Sequence, residues 1–344
     1  MLELAVAINY SSGLPLIVCA GVAMYVASKA LADAVTGGNN PSPGSLAVAQ
    51  WIPIAVLAVA ATVTNHVDVA VELIFSSAIA CLSLAIGAVA FLGMGSALPI
   101  PAVSRRAWGM LVPASLLGFL AGTRGSISLF NAAVLAIQGL CVLLLWNDSP
   151  AVADGTDPAA PLPVVRSGRS FSLRFAQCLL AILIAGVGAW LALHGLDRVA
   201  ANSEFASKGL LTATLLSPLV VLPIIGTGTD LAYRNQSTVA ISSHIGIALL
   251  NITALMPIVV LASLIQQLIA SHFSHNSSFY PVPFSHSVWR VDMLALVILG
   301  LFLLPVGLGR WSISKSHGLG LMCAYLLYLA MWILVQTYNL YGVH

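Results

Sequence analysis

A segment running from Trp51 to Gly87 returns in diverged form from Val221 to Pro257, and this duplication constrains the fold more than any other feature of the chain. With Pro53 set over Pro223, a shift of 170 residues (223 − 53), Asn65 falls on Asn235 and Ala70 on Ala240 without a gap. Each copy is an apolar run, a short polar break (Asn65-His66, or Tyr233 to Ser237), and a second apolar run with Ser, Gly, Cys or Asn inside it. Two such runs across a short break make a membrane hairpin. Proline and small polar residues at corresponding places in two repeats point to a site near the middle of the bilayer.

Composition requires the bilayer. Only 7% of the 344 residues are charged and 59% are hydrophobic, with a mean hydropathy of +0.99, whereas soluble domains carry about 25% charge. Ten apolar runs follow one another at about 13–34, 46–64, 67–94, 105–122, 127–146, 173–195, 209–232, 238–270, 288–309 and 317–340. Roughly 20 residues of helix cross about 30 Å of hydrocarbon, so these runs predict an all-α polytopic membrane protein of about ten transmembrane helices. A formal charge of +2 gives no patch for nucleic acid. Cys19, Cys81, Cys141, Cys178 and Cys323 all lie inside apolar runs and read as small packed residues. The N-terminus lacks a basic region and a cleavage site, so the first helix is expected to be retained. No nucleophile elbow, zinc-protease helix, phosphate loop or dinucleotide fingerprint occurs, and neither an enzymatic activity nor a cofactor is expected.

The longest polar stretch, Asn147 to Arg174, is rich in Pro, Asp and Gly and reads as a flexible linker. It divides the chain into five spans over 1–146, a linker over 147–172 and five spans over 173–344. With the N-terminus outside, the inner side collects Lys29, Arg105, Arg106, Arg166, Arg169, Arg174, Arg234, Arg310 and Lys315. The outer side keeps Arg124, Arg198, Lys208 and Arg290. The positive-inside rule therefore predicts a cytoplasmic membrane, an outside N-terminus and a cytoplasmic linker. Five is odd, so the second half enters the membrane upside down and the repeat is inverted. It extends upstream, where Gly21-Val-Ala-Met-Tyr25 lies over Gly186-Val-Gly-Ala-Trp190.

On these residues the chain resembles the calcium/cation antiporters, the sodium/calcium exchanger-like proteins. Members have two inverted five-helix halves, each with Gly-Thr-Ser-Leu-Pro-Glu followed one helix later by Gly-Asn-x-x-Gly-Ser-Asn-x-x-Asn. Ala49-Gln-Trp-Ile-Pro53-Ile54 and Leu219-Val-Val-Leu-Pro223-Ile224 stand at the first motif. The stretches from Glu72 through Ser76, Ser77 and Ala78 to Cys81, and from Ser242 through Ser243, His244, Gly246 and Ala248 to Asn251, stand at the second. Ser77, Gly246 and Asn251 keep family residue types. The resemblance implies alternating-access cation antiport, with Pro53 and Pro223 as helix breaks. It also implies that the glutamate after each proline is the main calcium ligand, and here both positions are isoleucine. Calcium takes six to eight oxygen ligands and depends on carboxylates, so protons or monovalent cations are the expected passengers.

Glu72 reads as the only acidic residue well inside an apolar helix. It is either a proton or cation carboxylate, or it snorkels to the interface one turn from Asp68. His244 lies two positions from the counterpart of Glu72, and if the halves cross, the two form a titratable pair. Ser76, Ser77, Cys81, Ser242, Ser243, Gly246 and Asn251 either line a weakly polar cavity or let helices pack closely. Asp230 and Arg234 are spaced for an i, i+4 ion pair. His272, His275 and His286 lack carboxylate or thiolate company, so no metal site is expected there. The expected partners are the lipid bilayer and small cations or protons. The alternative to transport is a transport-inactive structural or regulatory subunit that keeps the fold.

Overall fold

The computed structural model describes residues 2–36, 42–92, 109–147, 171–201, 207–234, 236–273, 281–283, 286–308 and 312–340. Among these residues ten helical spans appear where the apolar runs predict them. The first half contains α1 (Leu2–Thr36), α2 (Pro43–Val63), α3 (Val67–Leu92), α4 (Leu111–Ala121) and α5 (Leu129–Asn147). The second contains α6 (Phe171–Ala201), α7 (Lys208–Tyr233), α8 (237–273), α9 (His286–Gly307) and α10 (Lys315–Leu340). Helix is the expected state because a bilayer interior offers no water to backbone N–H and C=O groups. α4 is shorter than the run that predicts it, and its 11 residues rise only about 16 Å. Most of the predicted linker lies outside the described residues, and its two ends belong to α5 and α6.

The duplication is visible in the backbone itself. The first segments of α3 (Val67–Ala80) and α8 (Ser237–Leu250) are both 14 residues long. Each runs into one wide π turn, Cys81–Ala85 in α3 and Asn251–Leu255 in α8, again 170 residues apart (251 − 81). The tight connections match as well: His66 N donates to Ala61 O and Gln236 N to Leu231 O, both at 2.8 Å. Asn65 supports the first of these turns in the left-handed region (φ 64°), which asparagine tolerates better than most residues. A third π turn, Thr212–Leu216 in α7, has no counterpart in α2, where Ser42 caps a helix that starts at Pro43.

The two halves run in opposite directions. α1 and α6 make the most extensive interhelical contact in the protein. Along it Gly13 faces Gly195 and Val199, Gly188 faces Ala20 and Ala23, and Gln177 Nε2 donates to Ala30 O at 3.0 Å. Residue numbers rise on one helix as they fall on the other, so the helices that open the two halves are antiparallel. A Cβ at Gly195 would lie 2.9 Å from Gly13 O, so glycine is what permits this approach.

Burial sorts the helices into layers. Within their most apolar windows α3 is 94% and α8 78% buried, whereas α1, α6 and α10 are buried to 39%, 33% and 28%. Most polar residues in the middle of α3 and α8 therefore face protein. Val18 and Val22 of α1 and Leu183, Val187 and Trp190 of α6 are exposed, as side chains against lipid are. An antiparallel pair of two-residue strands, β1 (Ser126–Ile127) and β2 (Val282–Pro283), ties the α4–α5 and α8–α9 loops together. Beside it lies an apolar cavity of ≈ 480 Å³, lined by Ile127, Val260, Leu264, Leu268 and Val282 and apart from every predicted site residue.

Candidate functional site

Pro53 and Pro223 sit mid-helix in α2 and α7, and each leaves the carbonyl four residues earlier without its usual N–H. The residues that follow them, Ile54 and Ile224, are both 0% exposed and belong to the core. Where the resemblance places two carboxylates there is packed hydrocarbon.

The predicted polar residues of α3 and α8 are all buried. Their hydroxyls are turned onto their own helices. Ser76 donates to Glu72 O at 2.6 Å, Ser77 to Leu73 O, and Ser243 to Ala240 O at 2.8 Å. Donating inward leaves the oxygen lone pairs as the available chemistry. One side-chain bond joins the halves here, from Asn251 Nδ2 to Ser77 Oγ at 2.9 Å. It crosses from the start of one π turn to the residue one helical turn before the other. Asn251 Oδ1 is buried without a partner, a free carbonyl acceptor in the centre of the protein. Gln50, three residues before Pro53, is 1% exposed and neither atom of its amide group is bonded. Sequence reasoning passed over Gln50, although an amide so close to the repeated proline was a signal.

His244 and Glu72 are not brought together as a pair. The His244 ring packs against Gly228, where a Cβ would lie 2.5 Å from Cε1, and its Nε2 faces Ile224 O at 3.3 Å. A nitrogen facing a carbonyl carries the hydrogen, and Nδ1 is buried and unbonded. Glu72 has other company. Asp68 is exposed, but Glu72 is 4% exposed and points into the protein, so it does not snorkel.

Its neighbours correct the expectation that Glu72 is the only deeply placed acid. Asp292, in α9, is 1% exposed. Asp292 Oδ1 accepts hydrogen bonds from Tyr328 Oη at 2.9 Å and from Trp332 Nε1 at 3.1 Å, both on α10. Glu72 lies within side-chain interaction reach of all three. Six residues separate Asp292 from the start of α9 at His286, about 9 Å of rise and so well inside. The sequence signal was an aspartate within an apolar run, with a Tyr and a Trp at i, i+4 in the next one.

Polar contacts on the face of the α2–α3 turn tie the halves together. Asp197, at the end of α6, bonds Lys208 Nζ at 2.6 Å and His66 Nε2 at 3.0 Å. Gln266 of α8 donates to Asn65 Oδ1 at 2.6 Å. The predicted Asp230–Arg234 pair forms at 3.0 Å between exposed side chains. His275 lies outside the described residues, as do the side chains of His272 and His286. Among the described residues no three metal-binding side chains cluster.

The architecture is that of a multi-pass helical membrane protein built from two inverted five-helix repeats around a pair of π-interrupted helices. Solved structures that superpose on it include two cation exchangers. An H+/Ca2+ exchanger, CAX, superposes with a TM-score of 0.73 at 14% identity, covering 98% of this chain and 93% of its own. The sodium-calcium exchanger NCX_Mj soaked with 10 mM Na+ and zero Ca2+ gives 0.62 at 18% identity over 93% of this chain and 99% of its own. The same exchanger soaked with zero Na+ and Ca2+ gives 0.61 at 17% over 93% and 98%. At such identities the likeness is one of fold. Neither a protein-family model nor a curated protein sequence matches the chain.

Proposed function

We propose that this protein is an alternating-access cation antiporter whose central site holds protons or monovalent cations and binds calcium poorly. The observation that carries the reading is Asn251. Its buried, unbonded carbonyl oxygen stands beside the Ser77 hydroxyl, where the repeats cross and where the two post-proline residues are isoleucine. Neutral oxygens without a carboxylate suit a singly charged ion that sheds its water easily, and they are too few and too weak for calcium. Spans α1 and α6 slide against a core of α2, α3, α7 and α8, as their small-residue contact and lipid exposure suit them to do. The excess of basic residues assigned to the inner side supports a cytoplasmic membrane, an outside N-terminus and a cytoplasmic linker.

A second reading, a transport-inactive structural or regulatory subunit, is favoured by one fact: Ile54 and Ile224, at the positions where the resemblance expects carboxylates, are wholly buried. Proteoliposomes separate the two. With the protein reconstituted, sodium, potassium, proton and calcium gradients are imposed one at a time. The antiport reading expects flux of a monovalent cation or protons that Asn251→Leu reduces at least tenfold. Silence under every gradient supports the subunit.

A further inference from the structure

Glu72 and Asp292 put two carboxyl groups side by side on α3 and α9, 4% and 1% exposed. Tyr328 and Trp332 both aim their hydrogens at Asp292 Oδ1, which defines Asp292 as the acceptor of the group. Glu72 Oε1 and Asp292 Oδ2 are shielded from solvent and neither accepts a hydrogen bond from a fixed donor, although Tyr328 and Trp332 stand within reach of the Glu72 carboxyl group. Among the described residues no lysine or arginine is buried to neutralise them. Lys208 and His66 are engaged by Asp197 on the α2–α3 face, and His244 of α8 faces Ile224 O. Other titratable side chains on these helices include the Tyr325 and Tyr328 phenols of α10, Cys81 further along α3, and the exposed Asp68 of α3 and Arg290 of α9. Two like charges in such surroundings do not both ionise.

We infer that Glu72 and Asp292, clamped by Tyr328 and Trp332, form a proton-binding site in which one proton resides on Glu72 and is directed at Asp292. The site is distinct from the crossing of Ser77 and Asn251. Glu72 is five residues into α3, a rise of about 7.5 Å from the turn. Its backbone carbonyl accepts from Ser76, one turn nearer the crossing. Releasing the proton toward the α2–α3 face leaves two anions in apolar surroundings, and a cation entering the crossing one turn away offsets that second charge. Proton release and cation uptake are thereby coupled. This coupling rests on the antiport reading, whereas the bound proton does not.

Infrared spectroscopy of the purified protein at neutral pH tests the inference, since exposed carboxyls are then ionised and only a buried acid gives a protonated-carboxyl band. The wild type is expected to show one such band. Glu72→Gln, which keeps the shape and can still donate to Asp292, abolishes it. Asp292→Asn retains it at a shifted frequency, because Glu72 keeps its proton and changes its acceptor. Amide bands and gel-filtration volumes identify any variant that has unfolded, and Tyr328→Phe supplies a second probe, expected to shift the band without removing it. A wild type without the band, or a band untouched by Glu72→Gln, overturns the site. So does loss of the band on adding sodium at constant pH to Asn251→Leu, whose crossing has lost its amide, because sodium would then replace the proton between the two carboxyl groups themselves. Flux in the same preparations separates the two proposals. A Glu72 band with no flux under any gradient leaves the proton site standing and removes the antiporter. Flux that survives in Glu72→Gln, with the band unchanged, does the reverse.

Discussion

Ile54 and Ile224 each follow the proline of a repeated helix, and both are wholly buried. Replacing both with glutamate puts two charges into a closed core, where an unpaired ion costs several kcal/mol. The Ile54→Glu, Ile224→Glu protein is therefore expected to melt well below the wild type and to be rescued by calcium. Calcium at about 100 times its Kd would return about 2.7 kcal/mol. Thermal unfolding in detergent with and without calcium checks this, and a double variant indifferent to calcium would show that the crossing cannot be made into a calcium site. Asn251 answers to a smaller term. Its bond to Ser77 joins the halves, so Asn251→Ala is expected to lower stability by about 1 kcal/mol. The same substitution removes the free carbonyl, so flux suffers far more than stability.

At the scale of helices, α1 and α6 are held by backbone proximity rather than by large side chains. A Cβ at Gly195 would meet Ile17 Cγ1 at 2.8 Å and Gly13 O at 2.9 Å, so Gly195→Ala pushes the pair apart. The expected cost is about 1–3 kcal/mol, the usual range for overpacking. Gly186, on the same helix, has open space where a Cβ would stand, with no atom within 4 Å, and Gly186→Ala is expected to be neutral. Comparing the two melting temperatures tests the packing with helix propensity held constant. The same contrast explains what was legible. Gly21 and Gly186 align in sequence, yet Gly21 is pressed by Leu219 and Gly186 is open, so alignment located the repeat but not its contacts. Helix positions followed from hydrophobic runs because in lipid every backbone group must be satisfied within its segment. The π turns of α3 and α8 had no such signal, since the segments that form them, Cys81–Ala85 and Asn251–Leu255, contain neither glycine nor proline to mark a break.

For the molecule as a whole, inversion is the central claim, and it can be tested without assuming any activity. Thr64 and Arg234 occupy equivalent places 170 residues apart (234 − 64), each exposed at the end of a tight turn. In a background lacking the native cysteines, Thr64→Cys and Arg234→Cys are expected to react with an impermeant thiol reagent from opposite sides of the membrane. Labelling of both from one side would contradict the antiparallel packing of α1 against α6. The Asp197, Lys208 and His66 cluster ties the first half to the second on one face. Lys208→Met is expected to loosen that face by less than about 1 kcal/mol, because the pair is partly exposed, and to be detected as faster amide exchange in the α2–α3 turn.

The sequence by itself determined the number of spans, their approximate places and the duplication, because each of these is a local or periodic property of the chain, whereas α1 begins eleven residues before its apolar run and α4 is shorter than its own. Only the tertiary structure decided which polar groups meet. It separated His244 from Glu72, turned Glu72 away from the interface, joined Asn251 to Ser77, and carried Asp292, Tyr328 and Trp332 from the last two helices to a carboxyl group on the third. Partners so far apart along the chain leave no periodic trace in one sequence, and in a low-dielectric interior it is the partner that fixes what a charge does.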